Sequence, residues 1–146
     1  MKNKLIAIVI SISFLNCKTD SSNKTEEVAK RYFDVYSARK DYNQMKSFYN
    51  DSVQYENIIQ NTSLNNFETG YLLNQIFSFN DKSMVYDGGR MINVEQIISN
   101  DSMAIVNGTF NSYTYNGFKF TPMKFTTYLY FDKHVIIKKQ VDWFNY

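Results

Sequence analysis

Between residues 83 and 144 the chain is a nearly unbroken series of strand signals, and this limits its possible folds more than any other feature. Residues 83–86 read as a short strand, turned at Asp87-Gly88-Gly89. Residues 91–99 follow and turn at Ser99-Asn100-Asp101-Ser102. Residues 103–115 form a long run rich in β-branched and aromatic side chains, the types that suit a half-buried pleated surface. Asn116-Gly117 is the strongest hairpin signal in the chain, because a two-residue turn needs positive φ at both central positions. Residues 118–131 return, Asp132-Lys133-His134 turns, and residues 135–144 close the meander. Pro122 has no N–H to give to a ladder, so it marks a bulge or an edge within the 118–131 run.

The first half has the other period. In residues 26–39, Val28, Ala29, Tyr32, Phe33, Val35 and Tyr36 recur at three- and four-residue spacing and predict a helix with one apolar face. Thr25 is a plausible N-cap, and Glu26-Glu27 suit the first turn. A second helix is expected over 42–49, with Met45, Phe48 and Tyr49 inward, then a short strand over 52–56. A third helix is expected over 66–77, carrying Phe67, Tyr71, Leu72 and Ile76 on one side. Helices first and a bent antiparallel sheet after them give an α+β fold.

The N-terminus is an address rather than part of this fold. Met-Lys-Asn-Lys is followed by an apolar run over residues 5–15, then Asn16 and Cys17, the only cysteine. The run is about half the roughly 20 residues needed to span a bilayer as a helix. Its length suits the h-region of a cleaved leader, with Lys2 and Lys4 as the charged n-region. A plain secretory leader would explain the run but does not need a cysteine at its end. Phe14-Leu15-Asn16-Cys17 resembles the lipobox of bacterial lipoproteins. That resemblance implies cleavage after Asn16, acylation of Cys17 and anchoring in the cell envelope, facing the periplasm or the surface, with the outer membrane favoured. Residues 17–24 then read as the lipidated cysteine and a polar tether, and 25–146 as the domain.

Losing the leader changes the charge balance. Removing Lys2 and Lys4 from the 16 basic residues leaves 14 against 14 acidic ones. Neither a high pI nor a basic run longer than two residues remains, which argues against nucleic acid as a partner. With Cys17 acylated and His134 the lone histidine, neither a cysteine-based nor a histidine-based metal site is expected, and no cofactor is. Asp87-Gly88-Gly89 lacks the helix and lysine of a phosphate loop. The 12 Tyr, 12 Phe and 1 Trp supply an aromatic core to a single domain of about 130 residues.

Residues 28–41, VAKRYFDVYSARKD, and their continuation 45–57, MKSFYNDSVQYEN, resemble the opening of nuclear transport factor 2-like domains. The closing segment, residues 128–132 and 135–144, is similar to the last two strands of that family. The resemblance spans about residues 26–146. It implies a cone, with helices packed on a curved antiparallel sheet around a pocket. The family includes isomerases, dehydratases, SnoaL-like polyketide cyclases, transport factors and binding modules, so the fold alone does not give the function.

Carried over residue by residue, the ketosteroid isomerase branch implies Tyr32 as hydrogen-bond donor and Glu56 as general base. The position of its third group, a neutral aspartic acid, is held here by Thr127, a weaker donor. His134 falls in a turn and cannot supply the acid–histidine pair of the cyclases. The expectation is therefore a non-catalytic cone that binds a small apolar ligand or a protein partner. The alternative is an isomerase, dehydratase or cyclase using Glu56 and Tyr32. Thr127, Leu129 and Trp143 on the last two strands are the ligand-binding candidates. Tyr32 also reads as a core tyrosine, Glu56 as a solvated carboxylate, and Asp142-Trp143 as a packed pair. Strand alternation places Thr127, Leu129 and Phe131 inward and Tyr128 and Tyr130 outward. An outward aromatic face suggests a homodimer.

Overall fold

The computed structural model describes residues 20–145, with side chains from Lys24 onward, so the leader and Cys17 lie outside the described residues. Helix α1 (Asp20–Ala38) is followed by α2 (Tyr42–Lys46), β1 (Tyr49–Asn57) and β2 (Thr62–Glu68). A single turn, α3 (Thr69–Tyr71), passes into a π-turn over Leu72–Ile76. The second half holds β3 (Val85–Tyr86), β4 (Ile92–Ser99), β5 (Met103–Phe110), β6 (Tyr113–Tyr115), β7 (Phe118–Phe120), β8 (Met123–Phe131) and β9 (Ile137–Asn145).

Six strands form one sheet in the order β2-β1-β9-β8-β5-β4, and β3-β6-β7 form a small second sheet. All neighbours in the large sheet are antiparallel except β1 and β9, which run parallel. The sheet is therefore mixed, not purely antiparallel. Everything from β2 to β8 is the connection between that parallel pair, and a parallel pair always needs a long connection.

The alternation read from the sequence holds along β5 and β8. Ala104, Val106, Gly108 and Phe110 are buried on β5, and Phe125, Thr127, Leu129 and Phe131 on β8. Helix α1 lays Ala29, Tyr32, Phe33 and Tyr36 on this face, where Phe33 stacks on Phe125 at 5.7 Å. The outer face of the sheet carries Tyr128 and Tyr130, as expected.

Four boundaries differ from the sequence reading, each for a local reason. Helix α1 begins at Asp20, so Thr25 is an interior helical residue and not the N-cap. Helix α2 stops at Lys46, and Tyr49 opens β1 because the Ile137 N–H bonds to the Phe48 carbonyl. Residues 66–68, expected to open the third helix, instead end strand β2 (Thr62–Glu68): β2 pairs with β1, and the apolar spacing of Phe67 with Tyr71 and Leu72 continues across the strand–helix junction. The long runs 103–115 and 118–131 each break in two. Residues 111–112 and 121–122 let β6 and β7 leave the main sheet, with Pro122 at the second break. The Asn116-Gly117 turn joins them with φ of 50° and 79°, the pair of positive values that a hairpin of this type requires.

Candidate functional site

Alternation along β1 and β9 decides what faces the interior. On β1, Val53, Tyr55 and Asn57 are buried, and Glu56 between them faces out. On β9, Gln140 and Asp142 point in, and Trp143 points out. Register then sets Thr127 of β8 opposite Asp142, and Asp142 beside Asn57 of β1. One row of three polar side chains thus crosses three adjacent strands under α1.

Asp142 is the focus of that row. It is 1% exposed. The Thr127 hydroxyl donates to its Oδ1 at 2.6 Å, and Gln140 Nε2 donates to Oδ1 and Oδ2, both at 3.0 Å. The Tyr55 hydroxyl adds a further hydrogen bond. Burial raises the Asp142 pKa to about 6, while the donors from Thr127, Gln140 and Tyr55 hold it down from a higher value. Gln140 extends the network through its other atom: Oε1 accepts from Tyr49 at 2.6 Å and from Tyr32 at 2.9 Å. Tyr32 and Tyr49 are themselves 2.7 Å apart, so two hydroxyl protons serve three short contacts. Burial holds both tyrosines protonated by raising their pKa values well above the usual 10.

Beside this network opens a cavity of about 300 Å³. Its polar wall is Tyr55, Asn57, Gln60 and Arg39, and its apolar wall includes Tyr36, Phe77, Phe110 and Phe144. Methionines 84, 91 and 123 fill the rim with adaptable side chains. The π-turn brings Ile76 and Phe77 to the wall, with the Phe77 N–H bonded to the Leu72 carbonyl at 3.0 Å. Among the described residues there is no group of three or more His, Cys, Asp and Glu side chains placed to hold a metal ion.

These positions sort the candidates. Tyr32 is fully buried, with its hydroxyl spent on Tyr49 and Gln140, and it does not line the cavity. Glu56 is on the outer face, half-buried against Lys139 at 2.8 Å, and is not in the lining of this cavity. Trp143 is 51% exposed on the outer face and is not in the lining of this cavity. Its neighbour Phe144 takes that place. Leu129 is buried in the core, and the Thr127 hydroxyl is bonded to Asp142; neither is in the lining of this cavity. The sequence reading names Asp142 only as half of a packed pair with Trp143, and it does not single out Arg39, Tyr55 or Asn57. The alternation Val53-x-Tyr55-x-Asn57 was legible, and one step of register separates Glu56 from the residues that face in.

No family model matches the sequence, and no curated protein matches it. Solved structures do match the fold. A SnoaL-like protein from Shewanella putrefaciens superposes with a TM-score of 0.66 at 17% identity, covering 84% of this chain and 90% of its own. A nuclear transport factor 2-like protein of unknown function from Cytophaga hutchinsonii matches at 0.59 and 15%, covering 83% and 99%. Another from Burkholderia thailandensis matches at 0.65 and 12%, covering 83% and 90%. Other fold neighbours are named as candidates for isomerase, cyclase or hydroxylase activity. At these identities the likeness speaks to architecture, and the chain has the nuclear transport factor 2-like α+β fold.

Proposed function

We propose that this protein is a ligand-binding cone that takes up a small, largely apolar, ring-bearing molecule and performs no chemistry on it. One observation carries the reading: the cavity is walled by aromatic and methionine side chains, while the hydroxyl of Tyr32 and the carboxylates of Glu56 and Asp142 all lie outside its lining. A general base must come within hydrogen-bond reach of the proton it takes. A cavity of about 300 Å³ is at the small end of the range for ligand pockets.

Lipidation of Cys17 would hold this cone in the cell envelope. Among the described residues no helix is long and apolar enough to cross a membrane. The 19 residues of α1 separate Asp20 from the cavity end of the helix by about 28 Å.

A second reading rests on Tyr55. It lines the cavity and its hydroxyl is hydrogen-bonded to Asp142, so a proton could pass between a ligand and the buried acid through that hydroxyl. Mass spectrometry of the native protein purified from its host membrane separates the two. A co-purified small molecule recovered unchanged after prolonged incubation supports binding alone. Conversion of that molecule, lost in Tyr55→Phe and Asp142→Asn while the fold persists, overturns the non-catalytic reading.

A further inference from the structure

Arg39 is the only charged side chain in the cavity lining among the described residues. It directly follows α1 and has φ of +49°, the left-handed conformation that usually selects glycine after a helix. A side chain with a Cβ costs about 1 kcal/mol there. Such an outlier is grounds for asking what the residue is for.

Its guanidinium is pinned in place. Nη1 and Nη2 each donate to the Phe77 carbonyl at 3.2 Å, Nη2 also donates to the Ser78 carbonyl, and Nη1 approaches Met91 Sδ at 3.4 Å. The Phe79 ring lies 5.4 Å below it. Carbonyls and a ring satisfy donors but leave the full positive charge. No carboxylate among the described residues forms an ion pair with Arg39. The acid nearest in influence, Asp81, is exposed and accepts from the Ser83 N–H and hydroxyl at 2.8 and 2.6 Å. Lys82 is the other charged group on that side, in a neighbouring hollow. Tyr36 and Tyr86 face the guanidinium as neutral phenols, and Asp142 acts on Tyr36 as well. A fixed cation with no ion-pair partner among the described residues, set beside an apolar wall, attracts an anion more strongly than it would in water.

We infer that the ligand is an amphiphilic monocarboxylate: its carboxylate rests at Arg39 and its ring body lies against Phe77, Phe110 and Phe144. This rests on the ligand-binding reading and names the chemical class that the pocket takes. A purely structural Arg39 would explain the bonds to Phe77 and Ser78, but it would not make binding depend on the charge of a ligand.

The test compares 2-naphthoate with 2-naphthalenemethanol, two probes with one ring system and different head groups, by isothermal titration calorimetry on the full chain. Naphthoate is expected to bind at least tenfold more tightly than the alcohol. Arg39→Gln should bring the two within about twofold, and Arg39→Lys should keep most of the preference. Equal binding of both probes to the wild type overturns the carboxylate inference while leaving the ligand-binding reading standing. Binding of neither probe overturns both. The wild-type comparison needs no variant, so it decides the matter even if Arg39→Gln does not fold.

Discussion

Thr127 on β8 and Asp142 on β9 are register partners, and the Thr127 hydroxyl donates to Asp142 Oδ1 at 2.6 Å inside the buried core. Hydrogen bonding to a carboxylate favours its charged form. Thr127→Val keeps the shape of the side chain and removes that donor, so the Asp142 pKa should rise above its value of about 6. A carboxyl-carbon NMR titration of wild type and variant measures the shift directly. Stability at pH 7.5 should fall by about 1–3 kcal/mol, the range for a buried acceptor of this kind losing a donor.

Burial of Asp142 has a consequence for stability against pH, with a definite sign. Its folded pKa, about 6, is above the ordinary carboxyl value of 3.8. The folded state therefore binds the proton more tightly than the unfolded chain does. The contribution is fully present below the unfolded pKa and is lost as pH rises through the folded one. Across the window from about pH 4 to pH 7, wild type should lose up to roughly 3 kcal/mol relative to Asp142→Asn, at about 1.4 kcal/mol per pKa unit. Urea unfolding of both proteins at several pH values gives the difference curve. A flat difference, or one of opposite slope, would show that Asp142 is not held in this way.

Tyr32 and Glu56 make an instructive pair because they separate structural from catalytic expectations. Tyr32→Phe removes one of the two protons in the Tyr32–Tyr49–Gln140 triangle and leaves the Tyr49 bond to Gln140 intact. A loss of about 1 kcal/mol is expected, with ligand affinity unchanged because Tyr32 does not line the cavity. Glu56→Gln breaks only the half-exposed pair with Lys139, and should change stability by less than about 1 kcal/mol. Denaturation midpoints and probe titrations on both variants check these outcomes together. A large loss of ligand affinity in either would return that residue to the site.

Much of this was legible in the chain, and the misses have physical causes. The inward set Thr127, Leu129 and Phe131 followed from alternation on a long strand with one dry face. Asn116-Gly117 followed from turn chemistry. The 62–68 strand did not, because Phe67, Tyr71 and Leu72 show helical spacing while β1 supplies a sheet partner that no local signal contains. The same reason hid the parallel pairing of β1 with β9. Arg39 was hidden differently: a basic residue after a helix usually reads as solvated, and only its positive φ and its bonds across to Phe77 and Ser78 turn it to the cavity. Glu56 and Trp143 are each one residue away from groups that face in, and alternation along a strand turns one step of register into the opposite face.

Gly108 tests how tightly the sheet is joined to the helix. A Cβ at this position would come within 2.4 Å of the Asn93 carbonyl oxygen and 2.7 Å of the Phe125 ring. Phe125 in turn stacks on Phe33 of α1, so the ring cannot retreat without moving the helix contact. Gly108→Ala should therefore destabilise by about 1–3 kcal/mol, the usual range for overpacking, despite the better strand propensity of alanine. Urea unfolding with an unchanged slope and a lower midpoint is the expected result.

The outer face of the sheet carries a row that register makes continuous. Ile98 pairs with Ile105, Ile105 with Tyr128, and Tyr128 with Val141, across four strands. Ile98 is strongly exposed, and Trp143 is exposed on the same face. We propose that a second copy of the chain covers this row. An aspartate there would set a charge against its own symmetry mate near the axis of a twofold interface, and against apolar neighbours elsewhere. Sedimentation equilibrium at tens of micromolar should give the dimer mass for wild type and the monomer mass for Tyr128→Asp, with the circular dichroism spectrum unchanged. Wild type sedimenting as a monomer at those concentrations would overturn the pairing and leave the cavity argument untouched, because none of these four residues lines the cavity.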